Sequence, residues 1–480
     1  MTMLTLPSFT RLVGVAVVAL ALPLTACDTL LEVIDPDSVT PTTLEDDALI
    51  DVIVAGAVGD FAVAYSGAGG DAFLSTTALM SDEFYSSGTF TTRTATDRRN
   101  QRTPENGNTS DGAYVNLQQA RRALMLAAAR VAEHPEKGPS DPEFAELNAL
   151  HGYTYVALGE AFCSSVPISN DENPFPEDGP PRTSQQLFEE SLPIFDAAGG
   201  TDLANIGKAR ALMNLGDYAE AAALVTGVPT TYNYFIEHSS TDSRQNNPFF
   251  NLQSNGRYSL AHLEGGNATG VPFRGTSPDP DVNGDTVQAD PREGEDFVPV
   301  GQDPRVPWWE DPAGGFDDQF RLFVQLKYPF RSSNVPLASG IEARLIEAEA
   351  ALASGGNWLA ILNALRDSVG TLMDAQIDNY SDWVPSPSLA PLTDPGTTAD
   401  QVSLLFEERA FWLWGTGHRL GDLRRLIYQY GRTEADAYPS GAYHKDGSHG
   451  SDVVFPVDFD ETNNTLYDIS QCDVKNADIN

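Results

Sequence analysis

LANIGKARALMNLGDYAEAAALV, residues 203–225, is the stretch that decides how this chain folds. Apolar and small side chains recur at helical spacing up to Leu215, break at Gly216-Asp217-Tyr218, and resume at Ala221, Leu224 and Val225. Small side chains at Ala209 and Ala221 let two antiparallel helices approach closely, and Gly216 supplies the tight turn between them. The theme returns later. Ile341, Leu345, Ala348 and Leu352 form one apolar stripe, Gly355-Gly356 breaks it, and Trp358, Ile361, Leu362 and Leu365 begin the next.

Helical period dominates from Asp111 to Pro229. Leu117, Leu124 and Val131 recur every seven residues with Ala120 and Ala127 between them. Phe144, Leu147, Leu150, Tyr155 and Leu158 mark a second helix ending near Pro167, and Leu187, Leu192 and Phe195 a third. The paired helices resemble tetratricopeptide hairpins, with ordinary unstacked hairpins as the alternative. The expected class is mainly α, a superhelix of such hairpins. Between the two helical blocks, residues 231–334 are rich in Pro, Gly, Asn and Asp. They hold 15 of the 45 aromatic residues, so a loop-rich, aromatic-rich insertion with short strands such as Phe320 to Leu326 is expected to carry the ligand face. The organisation read from the sequence is 1–26 a signal segment, 27–230 a tether and helices, 231–334 the insertion, and 335–480 helical hairpins and tail. Residues 27–480 are expected to form one globular unit.

Leu12 to Leu22 is an uncharged apolar run preceded by Arg11 and followed by Leu24-Thr25-Ala26-Cys27. A run this short reaches about half of a ~30 Å hydrocarbon core, so it reads as a secretory signal. Its ending resembles the bacterial lipobox, which makes Cys27 the acylated first residue of the exported chain. No later stretch reads as apolar enough to span a bilayer. With 29 basic and 68 acidic residues the net charge is −39, which repels nucleic acid and anionic lipid headgroups and excludes both as partners. Export places Cys163 and Cys472 in an oxidising compartment. A Cys163–Cys472 disulfide is expected there, stabilising by about 4–5 kcal/mol through its long loop, with two buried thiols as the alternative.

Near the C-terminus, Glu407-Glu408-Arg409-Ala410-Phe411-Trp412-Leu413-Trp414 reads as a helix closed by Gly415-Thr416-Gly417. His418-Arg419-Leu420-Gly421-Asp422-Leu423-Arg424-Arg425-Leu426 opens another. This run resembles the C-terminal signature of the SusD/RagB family of outer-membrane nutrient-uptake lipoproteins. In order along the chain, Leu31-Glu32-Val33 with Asp35-Pro36, Ser81-Asp82-Glu83, Asp303-Pro304-Arg305, Glu347-Ala348-Glu349, Phe455-Pro456 and Glu461-Thr462-Asn463-Asn464 agree with it. The resemblance implies a non-catalytic protein that lies as a lid over a SusC-like TonB-dependent barrel. It would capture an oligomeric nutrient, an oligosaccharide or a peptide, for import. Anchoring at the outer membrane, exposed at the cell surface, is implied, although Asp28 after the lipidated Cys retains lipoproteins in the inner membrane of some bacteria. The charged groups Glu407, Arg409, Arg419, Asp422, Arg424 and Arg425 lie among Trp412, Trp414, Leu420 and Leu423. They read as structural ion pairs rather than acid–base catalysts.

Trp308-Trp309 is the leading ligand-contact candidate, because sugar rings present apolar C–H faces that pack on flat aromatic rings. Alternation along an extended chain sends one Trp to a ligand and the other to the core. Tyr258, Phe316 and Tyr328 are companions, with a small satellite core as their alternative role. Asp279-Pro280-Asp281-Val282-Asn283-Gly284-Asp285 and Asp290 match a calcium loop, with Asp279, Asp281, Asn283, Asp285 and Asp290 offering oxygens, and an acidic turn as the alternative. H-E-x-x-H, G-x-S-x-G, P-loop and dinucleotide patterns are absent from the sequence. The favoured function is therefore a lipid-anchored nutrient-binding protein, carbohydrate ahead of peptide. An exported glycoside hydrolase and a protein-binding tetratricopeptide scaffold are its rivals.

Overall fold

The 203–225 stretch folds as the hairpin its pattern requires. The computed structural model describes residues 46–67, 72–81, 83–102, 106–169, 178–262, 270–274 and 302–480. Backbone packing divides the chain into Met1–Ile50 and Asp51–Asn480. In the first unit, residues 46–50 carry a 3-10 turn, Asp47–Leu49, capped by the Asp46 carboxylate at 3.0 Å from the Ala48 N–H. The second carries the helices and strands described below.

Helices α1 (Ile50–Ser66), α2 (Phe73–Met80) and α3 (Thr91–Asp97) lead into the long α4 (Thr109–Glu133) and α5 (Pro142–Ala161). Next come α6 (Ser184–Ala197), α7 (Asp202–Leu215), α8 (Tyr218–Val225) and the short α9 (Pro248–Ser254). The C-terminal set is α10 (Gly340–Ser354), α11 (Trp358–Asp367), α12 (Val369–Asp374), α13 (Tyr380–Trp383), α14 (Thr398–Trp412), α15 (Arg419–Tyr428) and α16 (Glu434–Ala437). Strands are short: β1 (Phe84–Ser86), β2 (Val166–Pro167), β3 (Pro181–Arg182), β4 (Asn233–Ile236), β5 (Tyr258–Leu260), β6 (Trp308–Asp311), β7 (Leu322–Gln325) and β8 (Val335–Ser339). They pair antiparallel as β1–β5, β2–β3, β4–β8 and β6–β7. The strand expected at 320–326 is β7.

Consecutive helices pack as neighbours from α4 to α8; α8 then packs on α10, and α10 on α11. Stacking of the α7–α8 hairpin on the α10–α11 hairpin is the tetratricopeptide-like arrangement. Gly216 closes α7 in the left-handed region at φ +88°, where its N–H donates to the Leu212 and Met213 carbonyls. Ala209 and Ala221 are fully buried at that contact. Another close approach lies one hairpin earlier. A Cβ added to Gly152 or Gly159 of α5 would sit 2.7 Å from the Phe195 or Phe188 ring of α6, so only glycine admits these rings.

Asp47–Ser66 is long and apolar enough to cross a membrane by length and composition alone, against the expectation that no later stretch would be. Phe61, Ala64 and Tyr65 of this segment are buried, and the Tyr65 ring lies 4.9 Å from that of Phe73, as in a core helix. Cys163 and Cys472 form a disulfide with their Cα atoms 5.3 Å apart. It fastens the C-terminal tail to the end of α5.

Ionic pairs lock α14 and α15 into this stack. Arg409 of α14 makes a two-bond contact with Asp422 of α15, at 2.8 and 2.9 Å. Arg425 reaches the same carboxylate at 2.9 Å and takes both oxygens of Glu349 from α10, at 2.6 and 3.1 Å. Glu408 accepts from Arg305 at 2.9 Å and Arg366 at 2.5 Å. Arg424 donates to the Gly159, Phe162, Ala477 and Asp478 carbonyls. Burial pushes the Asp422 carboxyl up, but Arg409 and Arg425 together outweigh it and hold the group well below the usual carboxylate range. These groups are buried, so their role is structural; Glu407 is the exception and lies exposed.

Two stability measurements follow from this packing. Asp422→Asn leaves two buried guanidiniums short of a counter-charge, and urea unfolding should show a loss of about 3–5 kcal/mol. A loss below about 1 kcal/mol would contradict the lattice. His151, in α5, is pushed down to about 3, by burial first and then by Arg121. The unfolded chain protonates near the ordinary value of 6.5, so between those values it binds more protons than the folded chain. Stability is then full above about pH 6.5 and falls by about 1.4 kcal/mol per pH unit towards pH 3. In His151→Phe the acid limb of a melting-temperature profile should flatten.

Candidate ligand-binding site

Three turns of the insertion and its neighbours meet beside the β1–β5 pair, whose register is Phe84 to Leu260, Tyr85 to Ser259 and Ser86 to Tyr258. One turn, Ser87 to Phe90, leaves β1; another, Asn255 to Arg257, enters β5; the third is the tip of the β6–β7 hairpin at Phe316. Their backbones are tied together. The Ser87 N–H donates to the Arg257 carbonyl at 3.0 Å, the Phe316 N–H to Gly256 at 2.8 Å, and the Asp317 N–H to Ser87 at 3.1 Å. Gly256 sits at φ +63°, and a Cβ there would lie 2.9 Å from the Phe316 nitrogen. A side chain at 256 would force the tip away.

Phe90 and Phe316 are 49% and 51% exposed, although the core is well supplied with buried rings. The Arg257 guanidinium stands 4.6 Å from the Phe90 centroid and 3.2 Å from that of Phe316. Arg93 stands 4.8 Å from the Phe90 centroid. Cation–π attraction holds such a group in place and keeps the rings from collapsing inward. One Nη of Arg257 donates to the Thr89 hydroxyl at 3.2 Å. Burial first, and then the Arg93 charge, lower the Arg257 pKa.

A strap from residues 443–445 braces the platform from below. Lys445 pairs with Asp317 at 2.7 Å and donates to the Gly88 carbonyl. The His444 ring lies 4.9 Å from both Tyr85 and Phe320, and its Nε2 is 3.0 Å from the Ser86 carbonyl. Asp97 accepts from the Ser86 N–H and the Tyr443 hydroxyl, each at 2.8 Å. Burial pushes the Asp97 carboxyl up to about 7 in spite of those bonds and Lys445. The platform is thus preformed, with few torsions left to fix on binding.

Only one of the five aromatic candidates is exposed in it. Trp308 and Trp309 do point to opposite faces of the β6–β7 hairpin, but both faces are core. Trp308 packs on Phe323 at 5.4 Å and donates to the Arg274 carbonyl, while Trp309 joins the cluster containing Leu345 and Leu362. Tyr258 and Tyr328 are fully buried, Tyr328 donating to the Gly415 carbonyl at 2.9 Å. All four are core residues: for Tyr258 and Tyr328 this is the alternative role given above, and for the Trp pair it puts both rings, rather than one, in the core, because the hairpin is covered on both sides, which alternation alone does not reveal. Phe316 remains. Phe90, Arg93 and Arg257 were missed, and their one sequence signal is the turn Ser86-Ser87-Gly88-Thr89 preceding an aromatic ring. Cys27 and the calcium loop with Asp279, Asp281, Asn283, Asp285 and Asp290 lie outside the described residues. Among the described residues, no group of three or more His, Cys, Asp or Glu is placed to hold a metal ion.

No protein-family model and no curated protein matches the chain. Solved structures do. A SusD-like protein from Bacteroides fragilis superposes with a TM-score of 0.57 at 13% identity, covering 89% of this chain and 97% of that one. A SusD/RagB family protein from Bacteroides thetaiotaomicron gives 0.54 at 12% identity, covering 78% and 87%. A laminarin-binding SusD-like protein gives 0.51 at 15% identity, covering 87% and 98%. At these identities the likeness is one of architecture, and the chain has the SusD/RagB fold.

Proposed function

We propose that this chain is a lipid-anchored, surface-displayed glycan-binding protein that captures an oligosaccharide and passes it unchanged to a TonB-dependent outer-membrane transporter. The observation that carries the reading is the pair of exposed rings, Phe90 and Phe316, gripping Arg257 on turns that the rest of the fold holds rigid. Phenyl faces suit the C–H faces of sugar rings, and the guanidinium, the Thr89 hydroxyl and the turn backbone suit their hydroxyls. The fold shared with a laminarin-binding protein supports the same reading. Cys27, acylated after signal cleavage, supplies the anchor, and the barrel partner follows from the family resemblance of the sequence motifs. The mechanism is capture without bond cleavage. The buried, paired state of Glu408, Arg409 and Asp422 supports it, because these signature charges are closed to a substrate.

Affinity electrophoresis of the exported chain against a panel of polysaccharides tests this. At least one glycan should retard the protein, and Phe90→Ala with Phe316→Ala should weaken that retardation ten-fold or more, about 1.4 kcal/mol. The glycan recovered afterwards should keep its chain length. Shortened products, or full retention by the double variant, would contradict the proposal.

A further inference from the structure

We infer that the platform selects a carboxylated saccharide, a uronate-type sugar whose carboxylate is held by Arg257 while its ring packs against Phe90 and Phe316; this rests on the glycan-binding reading above. The first ground is the contrast between Arg257 and the arginines that brace the fold through carboxylates. Arg182, Arg210, Arg305, Arg321, Arg409 and Arg425 each pair with a carboxylate. Arg257 has none among the described residues, in a chain with 68 acidic side chains against 29 basic ones.

The second ground is local. Carboxylates near the hairpin tip are already taken: Asp317 by Lys445, and Glu310 by Arg321. Asp318, the tip's remaining carboxylate, makes no ion pair with Arg257. Arg93 places a second guanidinium beside the same Phe90 ring, at 4.8 Å against 4.6 Å for Arg257. Arg257 is thus a cationic point without an acidic partner among the described residues, in a chain that is otherwise strongly anionic.

The third ground is geometric. Thr89 occupies one Nη of Arg257, which leaves Nε and the other Nη as a side-on fork. That edge matches the two oxygens of a carboxylate in parallel hydrogen bonds, which a hydroxyl cannot do. The stacked rings fix the plane of the fork, so the sugar carrying the carboxylate has one preferred orientation.

Isothermal titration of the exported chain tests the inference with four polymers: polygalacturonate, its methyl ester, laminarin and a sulfated galactan. Polygalacturonate should bind at least ten-fold more tightly than its methyl ester, and more weakly as salt rises. Arg257→Gln should erase that preference. Arg257→Lys should lose most of it, since the ammonium keeps the charge but not the fork; circular dichroism checks that both variants stay folded. Equal binding of the ester or of laminarin, or a preference that survives Arg257→Gln, would overturn the inference and leave the glycan-binding reading standing. A sulfated polymer binding more tightly than polygalacturonate would overturn the carboxylate assignment. Binding of none of the four, together with no retardation by any glycan in the wider panel, would overturn both.

Discussion

Arg409 and Arg425 share the carboxylate of Asp422, and Arg425 carries that link on to Glu349. This buried lattice fixes α14 and α15 against the tetratricopeptide-like stack. Removing such charges from water is expensive, and only the two-bond geometry with every partner present offsets the cost. Other packings of these helices would leave a charge buried without its partner, so the lattice selects one arrangement. Arg210 of α7 extends it, binding both oxygens of Glu160 in α5 and reaching the Gly417 carbonyl at 3.0 Å.

From there the constraint passes to the platform through the turn after α14. The Gly415 N–H donates to Glu83 at 2.6 Å, and Glu83 immediately precedes β1. Lys327, two residues after β7, donates to the Trp414 carbonyl at 2.8 Å, while Tyr328 takes that of Gly415. Burial pushes the Lys327 amine down to about 7. Both strands that launch exposed rings, β1 towards Phe90 and the β6–β7 hairpin carrying Phe316, are therefore anchored on one turn. Scaffold and platform are coupled through five residues.

Helices were legible because burial of one face imposes a period, as at Leu117, Leu124 and Val131, and because Gly216 marks a stop that backbone geometry demands. Among the described residues, several of those that carry the family resemblance turn out to report scaffold chemistry. Glu83, Asp303, Arg305, Glu349, Arg409 and Asp422 all sit in the polar interior, and none of them reaches the exposed rings. The exposed platform was harder to read. Aromatic density singled out residues 231–334, yet the most prominent pair there, Trp308-Trp309, fills two cores, and the exposed rings come from turns 226 residues apart in sequence. Which ring faces water is decided by what covers it, and covering is a property of the assembled fold. Phe90 lies outside the aromatic-rich segment altogether.

The central claim is that a rigid helical stack presents a preformed ring-and-guanidinium platform to a glycan. Hydrogen–deuterium exchange of the exported chain, with and without a bound oligogalacturonate, addresses it most directly. Protection should appear at residues 86–90, 254–258 and 313–317, with the helices from Thr109 to Val225 and from Gly340 to Asp367 unchanged. Protection confined to the groove between α8 and α10, where Tyr218 and Ala222 face Glu347 and Ala351, would place the ligand on the stack itself and contradict the account.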